Sequence, residues 1–197
     1  MRTERYRQAR KGHELAAVAV ALLCASTAQA DGWAKKGGGF LLGVGMGFAA
    51  HESGHFFEGW SRGKSSRFQA RDGFLYVHTE GLGTPSYYMA GFANQAVASE
   101  LVFALGQERT AVGTGIIAWH VLCTAVYVVG TEAGIGGFRR DGDMYNFKRL
   151  GGRGEIAIPL LASHALWSAY RLYRGHTAPA RVYPTISKRS VGIAYNF

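Results

Sequence analysis

The stretch that decides the fold reads TAVGTGIIAWHVLCTAVYVVG and runs from Thr110 to Gly130. It holds no Asp, Glu, Lys or Arg, and His120 is its one ionisable imidazole. As an α-helix, twenty-one residues extend about 30 Å, which is the thickness of the hydrocarbon core of a bilayer. The sequence therefore predicts a membrane-spanning helix in this stretch.

Three weaker apolar segments flank this stretch, at about Gly38 to Phe57, Ser86 to Leu105 and Ile156 to Tyr173. Each of them carries polar or ionisable residues. The chain is 48% hydrophobic and only 18% charged, and its 28 glycines suit helices that pack closely in a membrane. We therefore expect a mainly α fold, an integral membrane bundle of about four spans.

The N-terminus has the features of an export signal. Five basic residues precede an apolar run from Leu15 to Cys24, and the small residues of Ala28-Gln29-Ala30 suit a cleavage site. Residues 1–30 are thus a signal peptide or, alternatively, an uncleaved signal anchor. Residues 31–175 form the membrane-embedded domain, and residues 176–197 form a tail.

The net charge of +9 is compatible with nucleic-acid binding or with basic loops beside a membrane. The basic residues flank the apolar segments and form no single stripe, which favours the membrane and a lipid bilayer as partner, without nucleic acid. The positive-inside rule places two long loops on the cytoplasmic side of an inner membrane. Their basic residues are Arg62, Lys64, Arg67 and Arg71 in one loop and Arg139, Arg140, Lys148, Arg149 and Arg153 in the other.

Two short segments have the alternation of β-strands. Between the first two spans, Phe68 to Glu80 carries Asp72-Gly73 between apolar runs, which predicts a β-hairpin. At the end of the chain, apolar residues alternate from Ser190 to Phe197, as in the closing strand of an outer-membrane barrel. The nearly continuous apolar run before Gly130 argues against a barrel. We expect a lone strand in the tail, with an outer-membrane location as the less favoured alternative.

The residues His51-Glu52-Ser53-Gly54-His55 form the motif H-E-x-x-H. On a helix, side chains four residues apart share a face, so both imidazoles can bind one zinc ion. Glu52 can then act as the general base that takes a proton from water. The alternative is a polar helix end exposed at the membrane interface.

A catalytic zinc site needs a third protein ligand. Asp141 and Asp143, like Glu132, follow the third apolar segment and lie on the same side of the membrane as the motif. His120 and His164 lie within apolar segments, where we expect them to be hydrogen-bonded between helices. The candidates together are Asp141, Asp143, Glu132, His78, His120 and His164.

The order of these motifs resembles the site-2 protease family of intramembrane zinc metalloproteases. The matching stretches are FAAHESGHFFEGW (48–60), FQARDGFLYVHTEG (68–81), MAGFANQAVASE (89–100) and FRRDGDMYNF (138–147). The resemblance implies His51 and His55 as zinc ligands, Glu52 as general base, Asp141 as third ligand and Asn94 as a residue near the site that binds substrate.

The chain departs from the family's pattern at two places. Gly91 stands where the family has the proline of Pro-x-x-Asn, and no Asn-x-x-Pro precedes Asp141. Asp143 is therefore an alternative third ligand. Asn94, with its polar neighbours Gln95 and Glu100, has a second interpretation, because polar residues in membrane helices often bond one helix to another.

Two functions follow from the sequence. The first is a membrane-embedded zinc hydrolase, a metallopeptidase that cleaves peptide bonds in or near the membrane with Glu52 as general base. The second is a non-enzymatic envelope protein, possibly associated with the outer membrane, in which a structural metal or polar cluster ties helices together.

Overall fold

The computed structural model describes residues 32–71, 74–133, 142–177, 182–187 and 190–195. The expected signal segment, residues 1–30, lies outside the described residues. In chain order the elements are α1 (Gly32–Ser61), β1 (Ser66–Arg71), β2 (Phe74–Thr79), α2 (Pro85–Ala104), α3 (Ala111–Ala133), α4 (Asp143–Arg149), α5 (Gly154–Thr177), β3 (Val182–Ser187) and β4 (Ser190–Tyr195).

The predicted mainly helical fold is confirmed, and each of the four apolar segments forms a long helix. The ends of these helices follow local chemistry. Thr84 caps α2 by accepting a hydrogen bond from the Tyr87 N–H at 3.3 Å, and Pro85 occupies the first turn, where its missing N–H has no helical partner to lose. The structure therefore reproduces the helix pattern that hydrophobicity indicated.

The predicted hairpin lies between α1 and α2. Strands β1 and β2 pair antiparallel, with Ser66 opposite Thr79 and Arg71 opposite Phe74. The hydroxyls of Ser66 and Thr79 are 2.7 Å apart, at the end of the hairpin that adjoins the helices. The hairpin packs against α1, so it lies beside the helix that carries the H-E-x-x-H motif.

Glycines bring α1 close to α2 and α3. A Cβ at Gly43 would overlap the backbone of Val112, one at Gly115 would overlap that of Phe40, and one at Gly54 would overlap that of Ala90. Because small residues let helix backbones approach, these three positions set the spacing of the bundle.

One described helix, α3, is long and apolar enough to cross a membrane. The expected bundle of about four spans is not supported by that criterion, because α1, α2 and α5 carry too many polar residues along their length. The prediction that these segments form helices is confirmed. Helix formation alone does not establish how many of them cross a membrane.

Two elements differ from the sequence-based expectation. The tail strand does not stand alone, since β4 pairs antiparallel with β3, with Val182 opposite Tyr195. The short helix α4 was not expected at all. Its Met144 is fully buried in a core cluster with Phe92, Phe147, Ala157 and Leu161, which attaches α4 to α2 and α5.

Candidate metal centre

His51 and His55 lie one turn apart on α1, and both side chains are buried. Their Nε2 atoms are 3.3 Å apart. The Oδ2 atom of Asp143, in the first turn of α4, lies 3.0 Å from the His51 Nε2 and 3.3 Å from the His55 Nε2. Three ligand atoms from two distant parts of the chain therefore meet at one point.

The size of this triangle fits a transition-metal ion. In a tetrahedral zinc site with bonds of about 2.0–2.1 Å, neighbouring ligand atoms are about 3.3–3.4 Å apart. The three distances among His51, His55 and Asp143 are close to that spacing. This group could hold a metal ion, and two imidazoles with one carboxylate leave a fourth position open.

The other ring nitrogen of each histidine has its own partner. The His51 Nδ1 lies 2.9 Å from the Gln95 Oε1, and the Gln95 Nε2 donates to the Thr124 Oγ1 at 3.1 Å. The His55 Nδ1 lies 2.8 Å from the backbone oxygen of Tyr87. Because both partners are acceptors, each Nδ1 carries a hydrogen, so that Nε2 is the nitrogen available to a metal when the ring is neutral and a donor to Asp143 when the ring is protonated.

The charge of Asp143 suits the role of a ligand. Burial acts to raise the pKa of this carboxyl, but the adjacent imidazoles of His55 and His51 outweigh burial and hold the pKa well below its usual range. Asp143 is therefore ionised at neutral pH. An ionised carboxylate is the form that binds a metal.

Glu52 is buried beside the histidines, and its carboxylate faces the hairpin. The Val77 N–H of β2 donates to the Glu52 Oε2 at 2.6 Å, and the Tyr87 hydroxyl donates to the Val77 carbonyl at 2.8 Å. Burial raises the pKa of Glu52, while the charges of His51 and His55 and the Val77 hydrogen bond offset part of the rise. A raised pKa brings a carboxylate closer to the range in which it can take up and return a proton near neutral pH.

Gly91 of α2 lies directly against the two ligand nitrogens. A Cβ at this position would come within 2.6 Å of the Nε2 atoms of both His51 and His55. Glycine is therefore the residue that leaves space beside the ligand atoms. In the sequence, Gly91 stood out only as a departure from the family's proline.

The remaining candidate site residues are not seen in the ligand triangle. Asp141 lies outside the described residues. Asn94 donates through its Nδ2 to the Ala50 carbonyl and to the Ser53 Oγ, both at 2.8 Å, so it ties α2 to α1 and is not part of the ligand triangle. Glu132 forms an exposed ion pair with Lys148 at 2.8 Å.

The three other candidate histidines are also outside the triangle. His78 lies on β2, whereas His120 and His164 are hydrogen-bonded to one another at 2.8 Å between α3 and α5, as their place within apolar segments indicated. Sequence reasoning did not assign metal-site roles to Tyr87, Val77 and Thr124. Only Thr124 carried a signal, as a polar residue in the middle of an apolar helix.

A scan against protein-family models, a search of curated proteins and a search of solved structures each found no match. The resemblance to the site-2 proteases therefore rests on the motifs of this chain alone.

Proposed function

We propose that this protein is a zinc-dependent hydrolase, a metallopeptidase that cleaves peptide bonds in or near a membrane. The observation that carries the proposal is the triangle of the His51 Nε2, the His55 Nε2 and the Asp143 Oδ2, with sides of 3.0 to 3.3 Å. Two imidazoles, one carboxylate and an open position are the ligand set of catalytic zinc sites.

In this mechanism His51, His55 and Asp143 would hold the ion. A zinc ion supplies Lewis acidity, which polarises a carbonyl oxygen and makes water more acidic. Glu52 takes a proton from the attacking water and returns it to the leaving nitrogen of the peptide. The Val77 N–H holds the Oε2 of Glu52, which orients the carboxylate and leaves Oε1 to exchange the proton.

Three features support a membrane location, with α3 as the spanning helix. This helix is long and apolar enough to cross a membrane. Only 33% of its apolar stretch is buried inside the protein, whereas the core helix of a water-soluble protein is mostly buried. Large apolar patches are rare on soluble monomers. Here many large apolar side chains are exposed on the helices, among them Leu41, Trp60, Leu101, Leu122, Val129, Leu160, Leu166 and Trp167. We further propose that the protein lies in a bacterial-type inner membrane and that its substrate is a peptide or a membrane protein.

Metal content tests the site. The protein is purified in detergent, and bound zinc is measured in the wild type and in four variants: His55→Ala, Asp143→Asn, Asp141→Asn and, as a control outside the triangle, His78→Ala. We expect about one zinc per chain in the wild type. The metal should be lost with His55→Ala and Asp143→Asn and retained with the other two. Loss with Asp141→Asn and retention with Asp143→Asn would contradict the ligand set.

The alternative is a non-enzymatic envelope protein, and the bond from Asn94 to α1 favours it, because this residue ties helices together. Glu52→Gln separates the two functions. In a hydrolase this variant keeps zinc and loses peptide cleavage. In a structural protein it leaves function intact, while His51→Ala or His55→Ala lowers the melting temperature.

A further inference from the structure

A second polar cluster lies within the bundle, where α2, α3 and α5 meet. The His120 Nε2 is 2.8 Å from the His164 Nδ1. The other nitrogen of His164, Nε2, is 3.2 Å from the Oε1 of Glu100. The Arg171 Nη1 donates to both carboxylate oxygens of Glu100, each at 2.7 Å. The cluster shares no residue with the metal group.

The two imidazoles are arranged head to tail. When the Nε2–H of His164 donates to Glu100, the Nδ1 of His164 must accept from the Nε2–H of His120. A neutral imidazole carries one hydrogen, so the Nδ1 of His120 is then an acceptor. His164 thus meets one neighbour with each nitrogen, whereas His120 meets His164 with Nε2 and keeps Nδ1 as an acceptor. In both rings an acceptor nitrogen stands opposite an N–H, which is the arrangement needed to receive a proton on one side and release one on the other.

The line of side chains from Glu100 through His164 to His120 runs from the surface into the interior of the bundle. The side chains of Glu100 and His164 are 43% and 30% exposed, whereas His120 is fully buried. At the inner end, the His120 Nδ1 is a buried atom with no hydrogen-bond partner among the described residues. The Ser168 Oγ, one turn after His164 on α5, is a second buried atom without such a partner. Buried polar atoms of this kind are usually satisfied by internal water, which is also a carrier of protons.

We propose that Glu100, His164 and His120 form a proton-transfer chain between the buried interior of the bundle and its half-exposed side. A proton binds the Nδ1 of His120, the Nε2 proton of His120 passes to the Nδ1 of His164, and the Nε2 proton of His164 passes to the Glu100 carboxylate. One proton enters, one is delivered, and each ring ends with its hydrogen on the opposite nitrogen. The reverse sequence carries a proton inward.

The surroundings favour transfer along this line. Arg171 fixes Glu100, and its guanidinium also lies 3.8 Å above the Phe103 ring, so the carboxylate is held in place. The helix α1 faces this part of α3 with Phe48, whose ring packs edge-on against Trp119. In an apolar bundle, a histidine pair joined to a carboxylate is costly, and such groups commonly mark proton pathways.

Hydrogen exchange of the His120 ring N–H tests the chain in the full-length protein. A fully buried N–H without a relay exchanges only when the structure opens, as the neighbouring amides of α3 do. The measured quantity is the ratio of the ring exchange rate to that of the Ile117 amide, which cancels changes in overall stability. We expect Glu100→Gln, which removes the proton acceptor and preserves the shape, to lower this ratio by about tenfold or more.

A structural role predicts the opposite sign. If the cluster only ties helices together, Glu100→Gln weakens it, and the ratio rises or stays the same, which overturns the proposal. Glu100→Asp is the second variant, because a carboxylate shortened by one methylene withdraws from His164; it should lower the ratio as well. The control is His78→Gln on β2, which should leave the ratio unchanged. The readout is independent of zinc and of hydrolysis.

Discussion

At the scale of the residue, the orientation of His51 and His55 depends on groups outside the His51–His55–Asp143 triangle. Gln95 and Thr124 are almost completely buried, and together they hold the His51 ring with one nitrogen directed at Asp143. The backbone oxygen of Tyr87 does the same for His55. Such outer partners fix the tautomer and orientation of a histidine ligand. These contacts hold both rings in the orientation that a metal ion would require.

Gly91→Ala should abolish zinc binding and leave the fold intact. The new Cβ would lie 2.6 Å from both ligand nitrogens, in space that they need, while alanine is a better helix former than glycine by about 1 kcal/mol. Zinc content and circular dichroism check this. Gly45→Ala on α1 is the matched control, because a Cβ there meets nothing within 4 Å. Full zinc content in Gly91→Ala would show that the ion does not bind beside this glycine.

At the scale of the element, the short helix α4 decides whether the site is complete. It brings Asp143 to the histidines, and it is attached to α2 and α5 by Met144 and Phe147. The hairpin has a comparable role on the other side, because the Val77 N–H of β2 orients Glu52. Two small elements thus position Asp143 and Glu52 against the helix that carries His51 and His55.

Met144→Ala should weaken zinc binding although residue 144 binds no metal. Removing a fully buried methionine side chain costs about 2–5 kcal/mol of stability and loosens α4, which displaces Asp143. The dissociation constant for zinc and the melting temperature are measured together. Met46→Ala, at a partly exposed methionine on α1, should change neither. A lower melting temperature with unchanged zinc affinity would show that Asp143 does not depend on this anchor.

At the scale of the whole molecule, many large apolar side chains of the described helices are exposed, and the most apolar helix is only partly covered by the others. Exposed side chains such as Leu122, Val126 and Val129 give α3 an outward face suited to lipid. The polar groups of the metal site and of the Glu100–His164–His120 chain lie between helices. This separation is the one that the proposed membrane location requires.

Leu122→Arg should reduce the fraction of protein that stays in the membrane after alkaline carbonate extraction. A charged residue near the centre of a spanning helix costs about 2.5–3.5 kcal/mol of insertion free energy. Leu75→Arg, at an exposed leucine on β2, is the control and should extract like the wild type. A wild-type protein that remains monodisperse in water without detergent would contradict the membrane location.

The sequence by itself determined the four long helices, the hairpin and the pairing of His51 with His55. Each of these depends on residues close together in the chain, through hydrophobic periodicity, a turn dipeptide or a spacing of one helical turn. Among six candidates for the third ligand it favoured Asp141, through the family resemblance, with Asp143 as the alternative, and it could not decide between the two, because that choice depends on which distant segment packs against α1.

Only the tertiary structure decided the remaining features. It brought Asp143 within 3.3 Å of both histidines, placed Gly91 against them, and showed that Asn94 donates to α1, as its second interpretation predicted. It also showed that one of the described helices, and not four, meets the requirements of a span. The physical reason is that each of these features arises from contacts between residues far apart in the chain, and such contacts are set by packing of whole elements.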